Sequence, residues 1–250
     1  MIPIAILSNI HGNLEALNAV LSDIVEQKIS TIISLGDAVG YGPDPLACLQ
    51  AMRVLTQQCL MGYLEFHIVN AIEMEFSSPL MIETLRYAGE ALRSSNDDWN
   101  WLRCLPVVFQ EARYVAANTD PRGIQYSPSH PEQLEHSDRT RVRLFSQFSH
   151  LFLMGGSHAP WVATESGYVY TPHQEANTYL YTAQQKLVVS VGSVGQPRDG
   201  DPQACYAILT ENEIRWRRVE YDIKLTAHKA IERYAYGSVY AEAITQGIPI

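Results

Sequence analysis

The chain of 250 residues lacks the features that mark proteins for nucleic acid, membrane or secretion. Only 18 Lys and Arg stand against 27 Asp and Glu, for a formal net charge of -9. Surfaces that neutralise a phosphate backbone or an anionic bilayer need clustered cations. The one tight cluster, Arg139, Arg141 and Arg143, reads as a solvated helix face. Nucleic acid and membrane are therefore excluded as main partners. Apolar runs fall short of the roughly 20 residues that a spanning helix requires. The sequence does not open on a basic segment followed by an apolar helix, so no signal peptide is expected. Cys48, Cys59, Cys104 and Cys205 are scattered without Cys-x-x-Cys spacing. That excludes a zinc ribbon and points to reduced, buried thiols in a cytoplasmic protein.

What is present is an ordinary globular composition, 46% hydrophobic and 18% charged. A chain of this length buries a large core, and one α/β domain over 1–250 is the expectation. Residues 2–14, IPIAILSNIHGNL, join a β-rich run to Asn9, His11, Gly12 and Asn13. Leu14, Leu17, Val20, Leu21 and Ile24 then follow helical spacing. Residues 31–45, TIISLGDAVGYGPDP, repeat the pattern: a strand ending in Gly36-Asp37, a Gly/Pro-rich loop, and helical spacing from Leu46 to Met52. Strand and helix in alternation imply a parallel sheet. Polar residues at the carboxyl ends of such strands sit where open α/β sheets place ligands.

A third strand is expected within 57–62, and the stretch from about 66 to 104 reads as helical, with Trp99 and Trp101 as core. Strands are expected at 107–117, 151–155, 161–170, 178–182, 187–191, 204–210 and 213–220, the last two as a hairpin turning near Glu211-Asn212. Helices are expected after Asp222 and over 237–246, and 118–137 reads as a long loop. His130, His136 and His150 read as surface histidines, and His173 and His228 have no supporting neighbours. Gly40, Gly42, Gly192 and Gly195 read as backbone-geometry residues, and Ser193 as a loop serine without a nucleophile-elbow motif around it.

The segments NIHGN, GDAVGYGP and GSVGQPRD (residues 192–199) together resemble the calcineurin-like metallophosphoesterases, specifically the small bacterial and archaeal phosphodiesterase branch. The resemblance extends through almost the whole chain, to VEYD at 219–222. It implies a four-layer α/β/β/α sandwich of two mixed β-sheets, with a helical insert at about 66–104. It also implies an enzyme that hydrolyses phosphoesters with two cations roughly 3.5–4 Å apart. In that family the first metal is held by an Asp and a His of the first motif, a bridging Asp and a final His. The second shares the bridging Asp and adds an Asn and two His.

This sequence departs from that pattern. At the first metal His11, Asp37 and His158 match, but Asn9 replaces the aspartate. An amide oxygen still coordinates a cation, yet it brings no charge and binds transition metals more weakly. At the second metal only the shared Asp37 remains. Tyr63 replaces the ligand Asn, Leu64 replaces the His that protonates the leaving group, Asn118 falls at the mid-chain His, and Gly156 replaces the first His of the last motif. Glu65 matches the family's trailing Asp.

The expectation is therefore a degenerate phosphoesterase-like protein, a pseudoenzyme that acts by binding a protein or a small phosphorylated ligand. The alternative is a one-metal phosphodiesterase or phosphatase using Asn9, His11, Asp37 and His158 with a single Mn, Fe or Zn ion. Tyr63, Leu64 and Gly156 are expected to line the former cleft. Two metal-free readings stay open: His11 hydrogen-bonded to Asp37, or Asp37 capping the loop that follows it. The resemblance also implies dimers or higher oligomers.

Overall fold

The computed structural model describes residues 2–72, 78–123, 131–173 and 176–250. β1 (Ile4–Leu7) leads into α1 (Leu14–Glu26), and β2 (Thr31–Ser34) into α2 (Pro45–Leu55). The Asn13 side chain caps α1 by accepting from the Ala16 N–H at 3.1 Å. Pro45 opens α2, where a missing N–H has no partner to lose. β3 (Gln58–Cys59) is followed by three helices, α3 (Tyr63–Asn70), α4 (Pro79–Arg93) and α5 (Asn96–Arg103). Then come β4 (Val108–Gln110), β5 (Tyr114–Ala117), α6 (Glu132–Glu135), α7 (Asp138–Phe145), β6 (Leu151–Met154), β7 (Pro160–Thr164) and β8 (Val169–Tyr170). The chain closes with β9 (Thr178–Leu180), β10 (Leu187–Val191), β11 (Ala204–Leu209), β12 (Glu213–Val219), α8 (Ile223–Arg233) and α9 (Gly237–Gln246).

Two mixed sheets result, ordered β3-β2-β1-β11-β12-β9 and β4-β5-β6-β10-β7-β8. In the first, β1 runs parallel to β2 and antiparallel to β11. In the second, β10 runs parallel to β6 and antiparallel to β7. Side chains alternate between the faces of each strand, so β1 sends Ile6 between the sheets and Ala5 and Leu7 against α1. β10 likewise sends Val189 inward and Val188 toward the layer that holds Leu144 and Phe145 of α7. Because both faces of these strands are covered, they are apolar almost throughout. The layers are α/β/β/α, the architecture that the resemblance implies.

Several expected elements take a different form. The run 107–117 breaks into β4 and β5, which form a hairpin closed by the Glu111 N–H on the Tyr114 carbonyl at 2.9 Å. The run 161–170 breaks into β7 and β8 around Gly167, whose φ of +93° few other residues adopt. Helix α3 starts at Tyr63, because Glu65 caps it, as detailed below. α6 lies inside the expected loop 118–137; His130 is outside the described residues. Arg139, Arg141 and Arg143 do not share a solvated face, since residues two apart on a helix diverge. Arg141 folds back to donate to the Leu134 carbonyl at 2.8 Å and pairs with Asp138. Cys104 is exposed, whereas the other three thiols are buried. Trp99 and Trp101 are only partly buried against the core, and Arg93 lies over the Trp99 ring at 4.7 Å.

Candidate functional site

The loops that leave β1, β2, β6 and β10 meet at one end of the two sheets. Five non-glycine residues there adopt left-handed backbone: Asn9 (φ +53°), His11 (+48°), Asp37 (+55°), Tyr41 (+54°) and His158 (+57°). Such conformations cost on the order of 1–2 kcal/mol each outside Gly and Asn, and persist only where surrounding structure imposes them. Here the imposing contacts are hydrogen bonds between loops. The His11 N–H donates to the Asp37 carbonyl at 2.9 Å, the Gly42 N–H to the His11 carbonyl at 2.8 Å, and the Gly195 N–H to the Asn9 carbonyl at 2.8 Å. Gly40 and Gly192 serve through positive φ, as expected. Gly42 and Gly195 serve instead through close approach: a Cβ on Gly195 would sit 1.8 Å from the Ile10 carbonyl oxygen. Ser193 is buried and ties the same loop together, donating to the Asn9 carbonyl at 3.0 Å and accepting from Gln196.

His11 and His158 come together. Their rings lie nearly parallel with centroids 4.9 Å apart, and Nε2 of one stands 3.4 Å from Nε2 of the other. His11 Nδ1 lies 3.2 Å from the Val39 carbonyl and His158 Nδ1 lies 2.9 Å from the Gln196 carbonyl. A carbonyl only accepts, so both Nδ1 atoms carry the hydrogen, and in the neutral rings both Nε2 atoms are bare lone pairs. Burial, with the nearby Arg198 charge, pushes the His11 pKa down to about 3 and holds His158 well below its ordinary range. The reading in which His11 hydrogen-bonds the Asp37 side chain is replaced by this imidazole pair.

Asn9 is fully buried. Its amide nitrogen donates to the Gly155 carbonyl at 2.8 Å and the Gly192 carbonyl at 3.1 Å. Those two bonds define which end of the amide is which. Oδ1 is left buried with no partner, an arrangement that an acceptor seldom keeps unless something else occupies it.

Asp37 faces a different way. Its Oδ1 accepts from the Leu64 N–H at 2.9 Å, at the start of α3, and Asn118 also bonds its carboxylate. The loop after Asp37 is capped by Glu65 instead. Glu65 accepts from the backbone N–H groups of Asp37 (2.9 Å), Gly62 (2.9 Å) and Val39 (3.0 Å). Burial raises the Asp37 pKa; burial and repulsion from Asp37 raise that of Glu65 to about 8.

The positions of the second metal are filled by other contacts. Leu64 does not line a cleft: it is buried with Tyr41, Leu80, Tyr234 and Tyr240, against the space that a side chain on Gly40 would need. Asn118 is committed at both ends, donating to the Leu35 carbonyl at 3.1 Å and accepting from the Tyr63 N–H at 3.3 Å. Tyr63 is half-exposed and packs against His67 with ring centroids 4.2 Å apart and planes tilted by 46°, while Gly156 offers no side chain. Among the described residues, no three His, Cys, Asp or Glu side chains come together to hold a metal ion. A two-cation centre does not fit these residues. His11 Nε2, His158 Nε2 and the unpartnered Asn9 Oδ1 are among the polar atoms at this end of the sheets that no other protein group engages fully.

Sequence reasoning missed Arg198. It follows Gln196 in the GSVGQPRD loop, donates to Gln196 Oε1 at 2.8 Å, and acts by charge on His11, His158, Asp37 and Tyr41. Its Nε is buried without a partner. The signal in the sequence is that Arg198 is the one cation of the GSVGQPRD motif. Tyr41, in the Gly/Pro-rich loop, packs edge-on against His11 at 5.0 Å, a contact that the sequence pattern does not signal.

A family model described as calcineurin-like phosphoesterase matches residues 2–190. The uncharacterized protein MJ0912 of Methanocaldococcus jannaschii is 32% identical over 234 residues, covering 92% of each chain. A metallophosphoesterase from Sphaerobacter thermophilus superposes with a TM-score of 0.81 at 26% identity over 99% of both chains. Hypothetical protein PH1004 from Pyrococcus horikoshii OT3 superposes with a TM-score of 0.69, covering 96% of this chain and 98% of that one. At 18% identity, that second likeness speaks for the fold alone.

Proposed function

This chain belongs to the calcineurin-like phosphoesterase family, and we propose that within it the protein has given up two-metal hydrolysis and acts by binding a phosphorylated small molecule. The observation that carries this reading is the closure of the second metal position. Both ends of Asn118 are bonded, and Tyr63 and Gly156 stand where the family has Asn and His, so a cation there lacks ligands; Leu64, at the place of the family's proton donor, is committed to the core. Arg198 supports an anionic ligand, because a guanidinium with a buried, unpaired N–H beside two neutral imidazoles favours phosphate oxygens. We assign the activity to residues 1–250 acting as one domain. Pairing of β1 with β11 joins the two ends of the chain, so neither half forms the first sheet alone.

Thermal shift with nucleotides and sugar phosphates tests the reading. A ligand at about 100 times its Kd adds roughly 2.7 kcal/mol to native stability, and Arg198→Ala should abolish that shift. No shift at millimolar concentration with any phosphorylated compound would overturn the small-molecule reading and favour a protein partner.

One observation favours a second reading. The paired Nε2 atoms and the unpartnered Asn9 oxygen suit one cation, and a one-metal phosphodiesterase would keep them. Turnover of bis(p-nitrophenyl) phosphate that disappears in His158→Ala would establish it.

A further inference from the structure

Among the described residues, two buried donors in the loop after β10 have no acceptor. Gln196 is fully buried, and all but one of its polar groups are committed within the protein. Its backbone N–H donates to Ser193 Oγ at 2.9 Å, its carbonyl accepts from His158 Nδ1 at 2.9 Å, and its Oε1 accepts from Arg198 Nη2 at 2.8 Å. A guanidinium only donates, so the atom that meets it is the amide oxygen and the amide nitrogen faces away. That Nε2 is buried without a partner, and so is Nε of Arg198. Buried donors are seldom left unpaired, and here two of them occur on side chains that touch each other.

The sequence builds this pair. Pro197 stands between the two residues, fixes its own φ and favours extended backbone at Gln196. Residues two apart on an extended segment project to one side. Gly195 holds the loop from behind by its close approach to the Ile10 carbonyl. The Arg198 N–H donates to the His158 carbonyl at 3.3 Å, and its guanidinium carbon lies 6.0 Å from the centre of the Tyr41 ring. Only a guanidinium edge, one hydrogen bond and an amide separate the two free donors, so a single tetrahedral anion reaches both.

Resting on the phosphorylated-ligand reading above, we propose that Gln196 Nε2 and Arg198 Nε form a metal-free cradle for a terminal phosphoryl group, so that the ligand is a phosphomonoester bound end-on. Both donor atoms are out of contact with solvent, whereas Arg198 as a whole is half-buried. A small swing of that side chain admits the tip of a terminal group, while a phosphodiester, substituted on both sides, stays out. A charged donor beside a neutral one suits the free oxygens of a monoester dianion. Neither donor needs a cation, in contrast to a centre in which metals hold the phosphoryl oxygens.

The test is calorimetric titration of the full-length protein in EDTA with phenyl phosphate, diphenyl phosphate, benzoate and inorganic phosphate. Phenyl phosphate should bind at one equivalent, at least ~10-fold tighter than diphenyl phosphate or benzoate, the scale of one charge-assisted hydrogen bond. It should also bind tighter than inorganic phosphate, which lacks the organic part, and added manganese should leave its affinity unchanged. Gln196→Glu keeps the size of the side chain and the acceptor for Arg198 but turns the free donor into an acceptor, so affinity should fall by ~10–100-fold. Arg198→Lys keeps the charge and removes Nε–H, and should cost ~10-fold. If Gln196→Glu does not fold, Arg198→Lys and the ligand series decide. Diphenyl phosphate or benzoate binding as tightly as phenyl phosphate, binding only with added manganese, or full affinity in Gln196→Glu would overturn the proposal while leaving a phosphorylated ligand in place. Inorganic phosphate binding as tightly as the ester would overturn the ligand class. No phosphate binding at millimolar concentration, with or without manganese, would overturn both the cradle and the reading beneath it.

Discussion

Asn9→Asp is the change that restores the family's aspartate, and the structure predicts that it destabilises the metal-free protein. The amide nitrogen of Asn9 donates to the Gly155 and Gly192 carbonyls at 2.8 and 3.1 Å, in a position with no solvent access. A carboxylate there turns an oxygen toward two carbonyl oxygens. Two hydrogen bonds are lost at about 0.5–1.5 kcal/mol each, and two buried acceptors are left facing a buried charge. We expect a loss of about 2–5 kcal/mol in total, where leaving buried polar groups unpaired dominates. At about 2–4 °C per kcal/mol for a chain of this size, Tm falls by roughly 5–20 °C. Scanning calorimetry in chelator at pH 7.5 is the assay. Lowering the pH should shrink the deficit, because a protonated carboxyl again donates to one carbonyl. Zinc should also shrink it, by neutralising the carboxylate. A variant that melts within a degree or two of the parent in chelator would refute the reasoning, and with it the claim that Asn9 is anchored by its nitrogen.

Glu65→Ala strands three buried backbone N–H groups and should cost about 3–6 kcal/mol in urea unfolding, whereas Glu65→Gln keeps one oxygen and should cost about 1–3 kcal/mol; equal losses would contradict the clamp. Gly40→Ala combines a φ of +91° with a Cβ 2.4 Å from Leu64 Cδ1, so a loss of about 2–4 kcal/mol is expected, partly relieved when Leu64→Ala is added; strict additivity in the double-mutant cycle would count against the clash. Stability should peak in mildly acidic solution. The His11 pKa is lowered from 6.5 to about 3 in the native state, so its contribution is complete above 6.5 and is lost as pH falls toward 3. The Glu65 pKa is raised from 4.5 to about 8, so its contribution is complete below 4.5 and is lost as pH rises toward 8. A Tm profile whose alkaline limb survives unchanged in Glu65→Gln would refute the second assignment.

Much of the fold was legible because strands buried on both faces are apolar without interruption, and β1, β2, β10 and β11 all read that way. The hairpin β11–β12 and the helix after Asp222 were legible for local reasons, a polar turn and a side-chain cap on the Leu225 N–H. The breaks inside 107–117 and 161–170 were not, because each is made by a short turn that leaves apolar residues on both sides. At the site, residue identity was legible and orientation was not. His11 and His158 lie 147 positions apart, and that their Nε2 atoms meet depends on carbonyls of Val39 and Gln196, which any residue supplies. Leu64 read as a cleft residue because the template places its position there; its own hydrophobicity turned it into the core instead. Glu65 read as a substitute for an aspartate, and its role emerges only from the three N–H groups that two different loops bring to it. Among the described residues no helix is long and apolar enough to cross a membrane.

The central claim is that closure of the second metal position has ended two-metal hydrolysis. Turnover of bis(p-nitrophenyl) phosphate by the full chain in excess manganese and in excess zinc, with bound metal counted on the same sample, tests it most directly. The account predicts no turnover above the uncatalysed rate and at most one equivalent of metal. Two equivalents of bound metal with turnover would contradict it, whereas turnover with one equivalent, abolished by His158→Ala, would select the one-metal reading.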